Sequence, residues 1–320
     1  MLRRMSDFVI CARNIKGRNF GSEPAPSTYL VINGDAAPRP GSSQVVTRAA
    51  WAKQVQAASR SAGSKRESHV LVFVHGYNNP QDIVMERHRR IRDDLAAAHF
   101  PGIVVSFDWP AGGVGAFYLE DLADANRSAI QLVADGIMVL AALQQPDCTV
   151  HVHLLAHSMG AYVTREAFTA ADDADDLTGQ TWRLSQAMLV APDISARSLR
   201  DEDPRSNGLY RNCTRLTCYS SRHDNVLGLS NVKRAGVAPR AGRVGLPDSA
   251  PSHAINVDCS GYYETIPRTQ PMIGKREHSW HIGDPVFTQD MIDTMLGMDR
   301  DSRPTRDALG PNRYVLRGSS

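Results

Sequence analysis

Short apolar segments separated by helical patterns constrain the fold of this chain more than any other feature. Residues 69–74 (HVLVFV) show no polar alternation after the first residue, and residues 103–107 form another apolar run. Strands that are buried on both faces and separated by helices are typical of a parallel sheet that helices cover on both sides. The sequence therefore predicts an α/β fold with a mostly parallel central sheet.

The other elements follow the same alternation and set the expected domain organisation. Further strands are predicted at residues 8–12, 29–32, 150–155, 187–191, 215–219 and 254–257, and helices at 50–61, 82–99, 119–144, 159–170 and 290–298. We expect N-terminal strands and a helix at 1–64 joined to the main sheet, a core domain at 65–298 and a charged, loosely docked tail at 299–320. No large cap domain is expected, since no long insertion separates the predicted strands.

Composition excludes several classes of protein. Lys and Arg number 36 against 34 Asp and Glu, and this balance disfavours a nucleic-acid binder, whose basic excess should be evident. Five cysteines without a CxxC pair indicate neither a disulfide framework nor a structural zinc site, and reduced thiols predict a cytoplasmic location. No secretory segment and no window approaching the about 18 apolar residues of a transmembrane helix are visible, so we expect no membrane span.

The most informative segment, VHVHLLAHSMGAYVTREAF at 150–168, predicts a strand that runs directly into a helix. Its junction AHSMG matches the nucleophile-elbow pattern G-x-S-x-G, with Ala156 in the first glycine position and Gly160 in the second. Small residues are needed there because the turn holds the nucleophile in a strained conformation. Ser158 is therefore the candidate nucleophile, and a helix N-cap serine is the alternative. His157 is expected to point away from the active face.

Four more motifs accompany the elbow: HGYNN at 75–79, DWP at 108–110, YSSRHD at 219–224 and HSW at 278–280. Together the motifs resemble the α/β-hydrolase superfamily. More narrowly, they resemble a bacterial branch of predicted esterases and lipases long filed as a domain of unknown function. The resemblance covers residues 65–295. It implies the α/β-hydrolase fold and an esterase-like or lipase-like activity.

The resemblance also implies where the oxyanion hole lies. Enzymes of this superfamily use two backbone N–H groups, one directly after the nucleophile and one in a loop after an earlier strand. The corresponding residues are Met159 and Tyr77. Asn78 is expected either to add a side-chain donor or to brace the loop, and His75 to pack beneath it. A plain strand-ending turn is the alternative interpretation of HGYNN.

The superfamily order of Ser, then Asp or Glu, then His places the acid after a late strand and the histidine after the last one. Asp224 follows the predicted strand at 215–219. His278 lies in HSW, which resembles the family's histidine followed by serine and an aromatic residue. Asp193, after the preceding strand, and His281, one helical turn beyond His278, are the competing candidates. Asp224 and His278 are favoured.

The loop after the predicted strand at 103–107 lies beside the expected site. Because ligands of open α/β sheets bind at the carboxyl ends of strands, Trp109, Phe117 and Tyr118 are candidate apolar walls of a substrate pocket. Core packing is the alternative for Trp109. A segment rich in glycine, proline and arginine at 228–252 is expected to form a flap near the histidine. The site is expected to be fairly open.

Neither a cofactor nor a metal is expected. The sequence contains no phosphate-binding loop and no dinucleotide fingerprint. His278, His281 and Asp284 are too few potential ligands to indicate a metal site. A small-molecule ester is the expected partner, and the sequence does not indicate the oligomeric state.

The favoured function is hydrolysis of short to medium carboxylic esters through Ser158, His278 and Asp224. A serine at the elbow excludes the aspartate nucleophile of dehalogenases and epoxide hydrolases and the cysteine of dienelactone hydrolases. It does not exclude thioesters, amides or phospholipids. Two alternatives stay open: a phospholipase or lipolytic effector that acts on membranes, and a non-catalytic binding protein on the hydrolase scaffold.

Overall fold

The computed structural model describes residues 6–64, 66–111, 118–143, 149–174, 182–228 and 239–318, with the backbone alone for 118–124. The strands are β1 (Ser6–Lys16), β2 (Asn19–Asn33), β3 (Val45–Val46), β4 (Glu67–Val74), β5 (Gly102–Asp108), β6 (Thr149–His157), β7 (Leu184–Val190), β8 (Cys213–Ser220), β9 (Ala254–Asp258), β10 (Arg306–Gly310) and β11 (Arg313–Leu316). They form one 11-stranded sheet in the order β10-β11-β9-β8-β7-β6-β4-β5-β1-β2-β3.

The sheet is mostly parallel, as the apolar segments predict. All neighbours from β11 to β1 in this order are parallel, whereas β2, β3 and β10 are antiparallel additions at the two edges. Parallel neighbours need long crossover connections, and most of these connections contain helices. The predicted fold class is confirmed.

The helices are α1 (Arg48–Ala62), α2 (Gln81–Ala97), α3 (Tyr118–Gln131), α4 (Met138–Ala141), α5 (Met159–Asp173), α6 (Asn207–Arg211), α7 (Ala241–Val244), α8 (Ser260–Thr265), α9 (Arg276–Ser279) and α10 (Pro285–Met295). A π-helical turn, Leu132–Ile137, joins α3 to α4. The helix predicted at 119–144 therefore contains an irregular middle segment. No helix in the described part of the chain has the length and apolar character needed to cross a membrane.

Helices cover both faces of the sheet, and the side chains of β4 are buried against helices on each face. Successive side chains of a strand point to opposite faces. Val72 packs in an apolar cluster that contains Trp51 of α1 and Phe168 of α5. Its neighbour Phe73 packs in a second cluster that contains Ile91 of α2. An uninterrupted apolar strand is therefore required at this central position.

The N-terminal strands extend the main sheet directly. β1 pairs in parallel with β5 and antiparallel with β2. Trp51 of α1 covers this region: its ring lies 6.3 Å from that of Phe8, and its indole N–H donates to the carbonyl of Leu30 at 3.2 Å. The described part of 1–64 thus packs as a continuous extension of the central sheet.

The segment 299–320, expected as a loosely docked tail, folds onto the opposite edge of the sheet where it is described. β11 pairs in parallel with β9, and β10 completes a hairpin. Arg306 is buried, and its Nη2 lies 2.7 Å from Oδ2 of Asp290 in α10. A buried guanidinium requires such a partner, so this ion pair anchors the hairpin.

Candidate active site

Ser158 occupies the sharp turn between β6 and α5. Its backbone has φ 57° and ψ −123°, a conformation that residues with a side chain rarely adopt and keep only where their surroundings impose it. The N–H of Ser158 donates to the carbonyl of Val190 at 2.9 Å, and its carbonyl accepts from Ala161 at 3.1 Å. The side chain makes no capping hydrogen bond to α5, so the N-cap alternative does not describe it.

Glycines allow the chain to approach Ser158 closely. A Cβ atom on Gly160 would lie 2.3 Å from the carbonyl oxygen of Val74 and 2.5 Å from that of His75. Only glycine therefore lets α5 begin against the end of β4. A Cβ atom on Gly76 would lie 2.8 Å from the Cβ atom of Ser158. The loop after β4 consequently passes directly beside the serine side chain.

His278 lies in α9, where a buried carboxylate orients its ring. Its Nδ1 lies 2.6 Å from Oδ2 of Asp224, just beyond β8. The other carboxylate oxygen accepts the N–H of Leu227 at 3.0 Å. Because an ionised carboxylate only accepts hydrogen bonds, Nδ1 carries the proton and Nε2 of the neutral ring is an acceptor.

Ser158 and His278 line one cavity of about 450 Å³, a volume that suits a small organic ligand. Asp224 does not line the cavity and contacts His278 from its other side. The fold therefore assembles Ser158, His278 and Asp224 from three distant segments. Within the described ranges, no group of three or more His, Cys, Asp or Glu side chains is arranged to hold a metal ion.

The competing acid and base candidates have other surroundings. His281 is buried and stacks on Trp280 with ring centroids 3.9 Å apart, and burial lowers its pKa well below the usual value. Asp193 does line the cavity, but its Oδ1 lies 3.0 Å from Nε of the buried Arg240. The Asp193 N–H donates to the carbonyl of Ser158 at 3.1 Å. Neither residue contacts His278 in the manner of Asp224.

Tyr77 and Asn78 line the cavity from the loop after β4. Asn78 has φ 50°, a left-handed conformation that asparagine tolerates better than most residues. Met159 is the first residue of α5, and its side chain is buried in the core. The first N–H groups of any helix have no partner within the helix, and the N–H of Met159 belongs to this set.

A buried network beneath this loop was not found from the sequence. Nε of Arg13 lies 2.7 Å from Oδ1 of Asp108, and its Nη2 donates to the carbonyl of Asn79 at 3.1 Å. Asn79 donates in turn to the carbonyl of Gly76 at 2.8 Å. Burial alone would raise the pKa of Asp108, but Arg13 and His75 hold it well below its usual value. The sequence did contain a signal for this network, because Arg13 and Asp108 are charged residues within the otherwise apolar strands β1 and β5.

Of the three predicted aromatic walls, only Trp109 has a described side chain, and it does not line the cavity. Trp109 is fully buried and lies outside the cavity lining. Its ring stacks on His75 at 5.4 Å, and its indole N–H donates to the carbonyl of His75 at 2.8 Å. The prediction for Trp109 is therefore corrected: it supports the loop from below. Phe117 lies outside the described residues, and Tyr118 begins α3 with its backbone alone described.

His157 also differs from its expected placement, because it lines the cavity next to Ser158. Its Nε2 donates to the carbonyl of His278 at 2.9 Å, and the two rings lie 4.8 Å apart. Burial, followed by the neighbouring His278 and Arg87, lowers the pKa of His157 well below its usual value. The neutral His157 thus links the end of β6, which precedes Ser158, to the backbone of His278 in α9.

Residues 51–254 match the model of a protein family described as an alpha/beta hydrolase of unknown function (DUF900). The chain belongs to this family. The α/β-hydrolase fold that the motifs imply is thereby confirmed, and the match contains the HGYNN loop, Ser158 and Asp224 but ends before His278. No curated protein matches the sequence.

Solved structures similar to this member of the DUF900 family share little sequence with it. One is an inferred cell surface hydrolase from Lactobacillus plantarum WCFS1, with 14% identity, a TM-score of 0.38 and coverage of 73% of this chain and 92% of its own. Esterase B from Lactobacillus rhamnosis, crystallised with a tributyrin phosphonate, has 11% identity, a TM-score of 0.37 and coverage of 71% and 74%. An inferred hydrolase from Agrobacterium vitis S4 has 12% identity, a TM-score of 0.37 and coverage of 92% and 99%.

Proposed function

We propose that the protein hydrolyses carboxylic esters, with Ser158 as the nucleophile, His278 as the general base and Asp224 as the residue that orients the base. One observation carries the proposal: a serine held at positive φ shares a cavity with an imidazole whose Nδ1 is bound by a buried carboxylate. Strained backbone of this kind persists only where the surrounding structure maintains it, and such residues cluster at active sites.

The reaction follows the serine-hydrolase template. Nε2 of His278 accepts the hydroxyl proton while Oγ of Ser158 attacks the acyl carbon, and Asp224 stabilises the resulting imidazolium. The protonated ring then donates to the leaving alcohol, and an acyl-enzyme remains on Ser158. Water attacks this intermediate with the same proton transfers, and His278 returns the proton to Oγ as the acid departs.

The oxyanion of each tetrahedral intermediate is assigned to the N–H groups of Met159 and Tyr77. Their positions support this assignment, since Met159 opens a helix directly after the serine and Tyr77 follows the glycine that approaches it. The Arg13–Asp108 network holds the loop through Asn79. Loss of one such donor typically costs about 2.7–4 kcal/mol of transition-state stabilisation.

Cavity size and lining favour short to medium acyl chains. Ile83, Val226 and Leu227 supply apolar surface to the cavity of about 450 Å³. Contact with these side chains stabilises a bound acyl group by about 0.8 kcal/mol per buried methylene. A long-chain triglyceride, with its three acyl chains, exceeds this volume, so we expect the rate to peak at short or medium esters.

A neutral fluorophosphonate probe tests the proposed nucleophile. We expect one adduct, located on Ser158 by mass spectrometry of the digested protein, and none in Ser158→Ala. Ser185→Ala is the matched control, because that hydroxyl lies in β7 beside His151 and outside the cavity lining. A folded wild-type protein that resists the probe contradicts the proposal.

A further inference from the structure

Arg87 is a buried cation in the wall of the candidate active site. It lies one turn after Ile83 on α2, and both side chains line the cavity, as residues four apart on one helix face can do. Only 5% of Arg87 is exposed. A Cβ atom on Gly274 would lie 2.5 Å from Nη2 of Arg87, so the loop before His278 packs directly on the guanidinium.

No carboxylate neutralises Arg87 within the described part of the chain. Its hydrogen bonds there run from Nη2 to the carbonyl of Ile273 at 3.0 Å and to Oγ of Ser279 at 3.3 Å, and its Nε has no partner. Burial lowers the pKa of Arg87 to about 10, against a small opposing effect of Glu86. A buried charge paired only with neutral groups is costly, because carbonyl and hydroxyl oxygens replace little of the lost hydration.

The charges of the cavity wall are unbalanced. Lys275 is a second cation in the lining, and its side chain is exposed. Asp193 is the only carboxylate among the described lining residues, and Arg240 already neutralises it. Among the described lining residues, a ligand that enters this cavity therefore meets a net positive wall.

We propose that the ester hydrolysed at this site carries a second, negatively charged group, a carboxylate or a phosphate, which binds Arg87 and Lys275. An anion at this position supplies the negative charge that the described part of the wall lacks, and charge-assisted hydrogen bonds to a guanidinium are among the stronger ones in proteins. The inference rests on the proposed ester hydrolysis and names its substrate class: anionic esters rather than neutral ones.

Matched ester pairs test the inference in the full-length protein. On the acyl side, 4-nitrophenyl hydrogen adipate and 4-nitrophenyl 6-phosphonohexanoate are compared with neutral 4-nitrophenyl methyl adipate. On the alcohol side, 4-carboxyphenyl butyrate is compared with 4-carbamoylphenyl butyrate. We expect kcat/KM to favour the charged member of at least one pair about tenfold or more. The pair with the largest preference shows whether the site recognises a carboxylate or a phosphate-like group. It also shows whether that group belongs to the acyl or to the alcohol part of the ester. No preference in any pair overturns the inference.

Variants then assign the preference to the two cations. Arg87→Gln should lower the charged-to-neutral ratio of kcat/KM about tenfold, and Arg87→Lys should restore part of it. Lys275→Gln, at an exposed side chain, should lower the ratio about threefold. Arg90→Gln removes an exposed cation from the same helix outside the cavity and should keep the wild-type ratio. An equal loss of kcat/KM for the charged and the neutral ester in Arg87→Gln would show that Arg87 only supports the loop before His278.

Two further readouts separate this inference from the proposed function. Labelling of Ser158 by a neutral fluorophosphonate depends on the nucleophile and not on the cations, so labelling without a charge preference rejects the anionic substrate alone. Absence of labelling rejects the hydrolase itself. Rising salt should lower kcat/KM for the charged ester of the preferred pair while the neutral ester changes little. Because salt screens exposed charges more than buried ones, an unchanged ratio between low and high salt contradicts recognition by the exposed Lys275.

Discussion

Gly76 and Ser158 approach so closely that a Cβ atom on the glycine would stand 2.8 Å from the Cβ atom of the serine. The carbonyl of Gly76 is also fixed, since it accepts a hydrogen bond from Asn79 at 2.8 Å. The loop after β4 therefore has little freedom to move away. The proposed oxyanion donor and the proposed nucleophile are positioned by direct contact between their segments.

Gly76→Ala tests the importance of this contact. The added methyl group must displace either the loop or Ser158, and a displacement of about 1 Å near reacting groups can cost about a hundredfold in rate. We expect kcat to fall about a hundredfold on 4-nitrophenyl butyrate while the circular dichroism spectrum persists. Gly261→Ala is the control, because a Cβ atom there meets nothing within 4 Å. Normal turnover in Gly76→Ala would contradict the proposed contact.

Replacements of Ser158 should separate activity from backbone strain. Ser158→Ala and Ser158→Gly should each lower turnover about a thousandfold or more, because both lack the nucleophile. Glycine adopts φ 57° without the penalty of a Cβ atom, so Ser158→Gly should raise the free energy of unfolding by about 1 kcal/mol relative to Ser158→Ala. Urea denaturation measures this difference. Equal stability of the two variants would show that the turn stores no strain.

Asp224→Asn should abolish most activity without unfolding the protein. An asparagine amide can donate toward Nδ1 of His278 and so favour the wrong tautomer, which costs about ten-thousandfold in comparable sites. Asp193→Asn should act mainly on stability, because it leaves the buried Arg240 without its carboxylate and costs about 3 kcal/mol. Turnover and urea midpoints of both variants check the contrast. A larger rate loss in Asp193→Asn would reverse the assignment of the acid.

Stability should fall as the pH drops from about 6.5 toward 4, because buried histidines stay neutral in the folded protein. Burial, and then the neighbouring His151, lowers the pKa of His69 to about 4. The unfolded chain then binds a proton that the folded protein excludes, at a cost of about 1.4 kcal/mol per pH unit for each such histidine. Urea midpoints between pH 7.5 and 5 measure this slope.

His69→Phe provides the check on that slope. It keeps an aromatic ring against Phe100, which lies 5.5 Å from the His69 ring, and removes one titrating group. We expect a shallower loss of stability on acidification. His99→Asn, at an exposed side chain with φ 57°, should retain the wild-type slope. An identical slope in His69→Phe would mean that His69 does not contribute to acid sensitivity.

Much of the fold was accessible from the sequence because its signals are local. The apolar run at 69–74 predicted a strand buried on both faces, and β4 is that strand. The edge hairpin of β10 and β11 was missed, because short strands among charged residues look like a loosely docked tail in the sequence. The ion pair between Arg306 and Asp290, which anchors the hairpin, joins residues of different elements and has no local signal. Trp109 was misplaced for a similar reason: an aromatic residue after a strand fits either a pocket wall or the core.

The sequence by itself determined the parallel sheet and the serine turn, because strand burial, helical spacing and small residues around Ser158 act within a few neighbouring residues. Tertiary structure decided which side chains meet. The motifs favoured His278 over His281 by resemblance, but only the tertiary structure brings His278 against Asp224 and the cation of Arg87 into the same cavity as Ser158. The physical reason is that hydrogen bonds and charges act through space, and the path of each loop sets those distances.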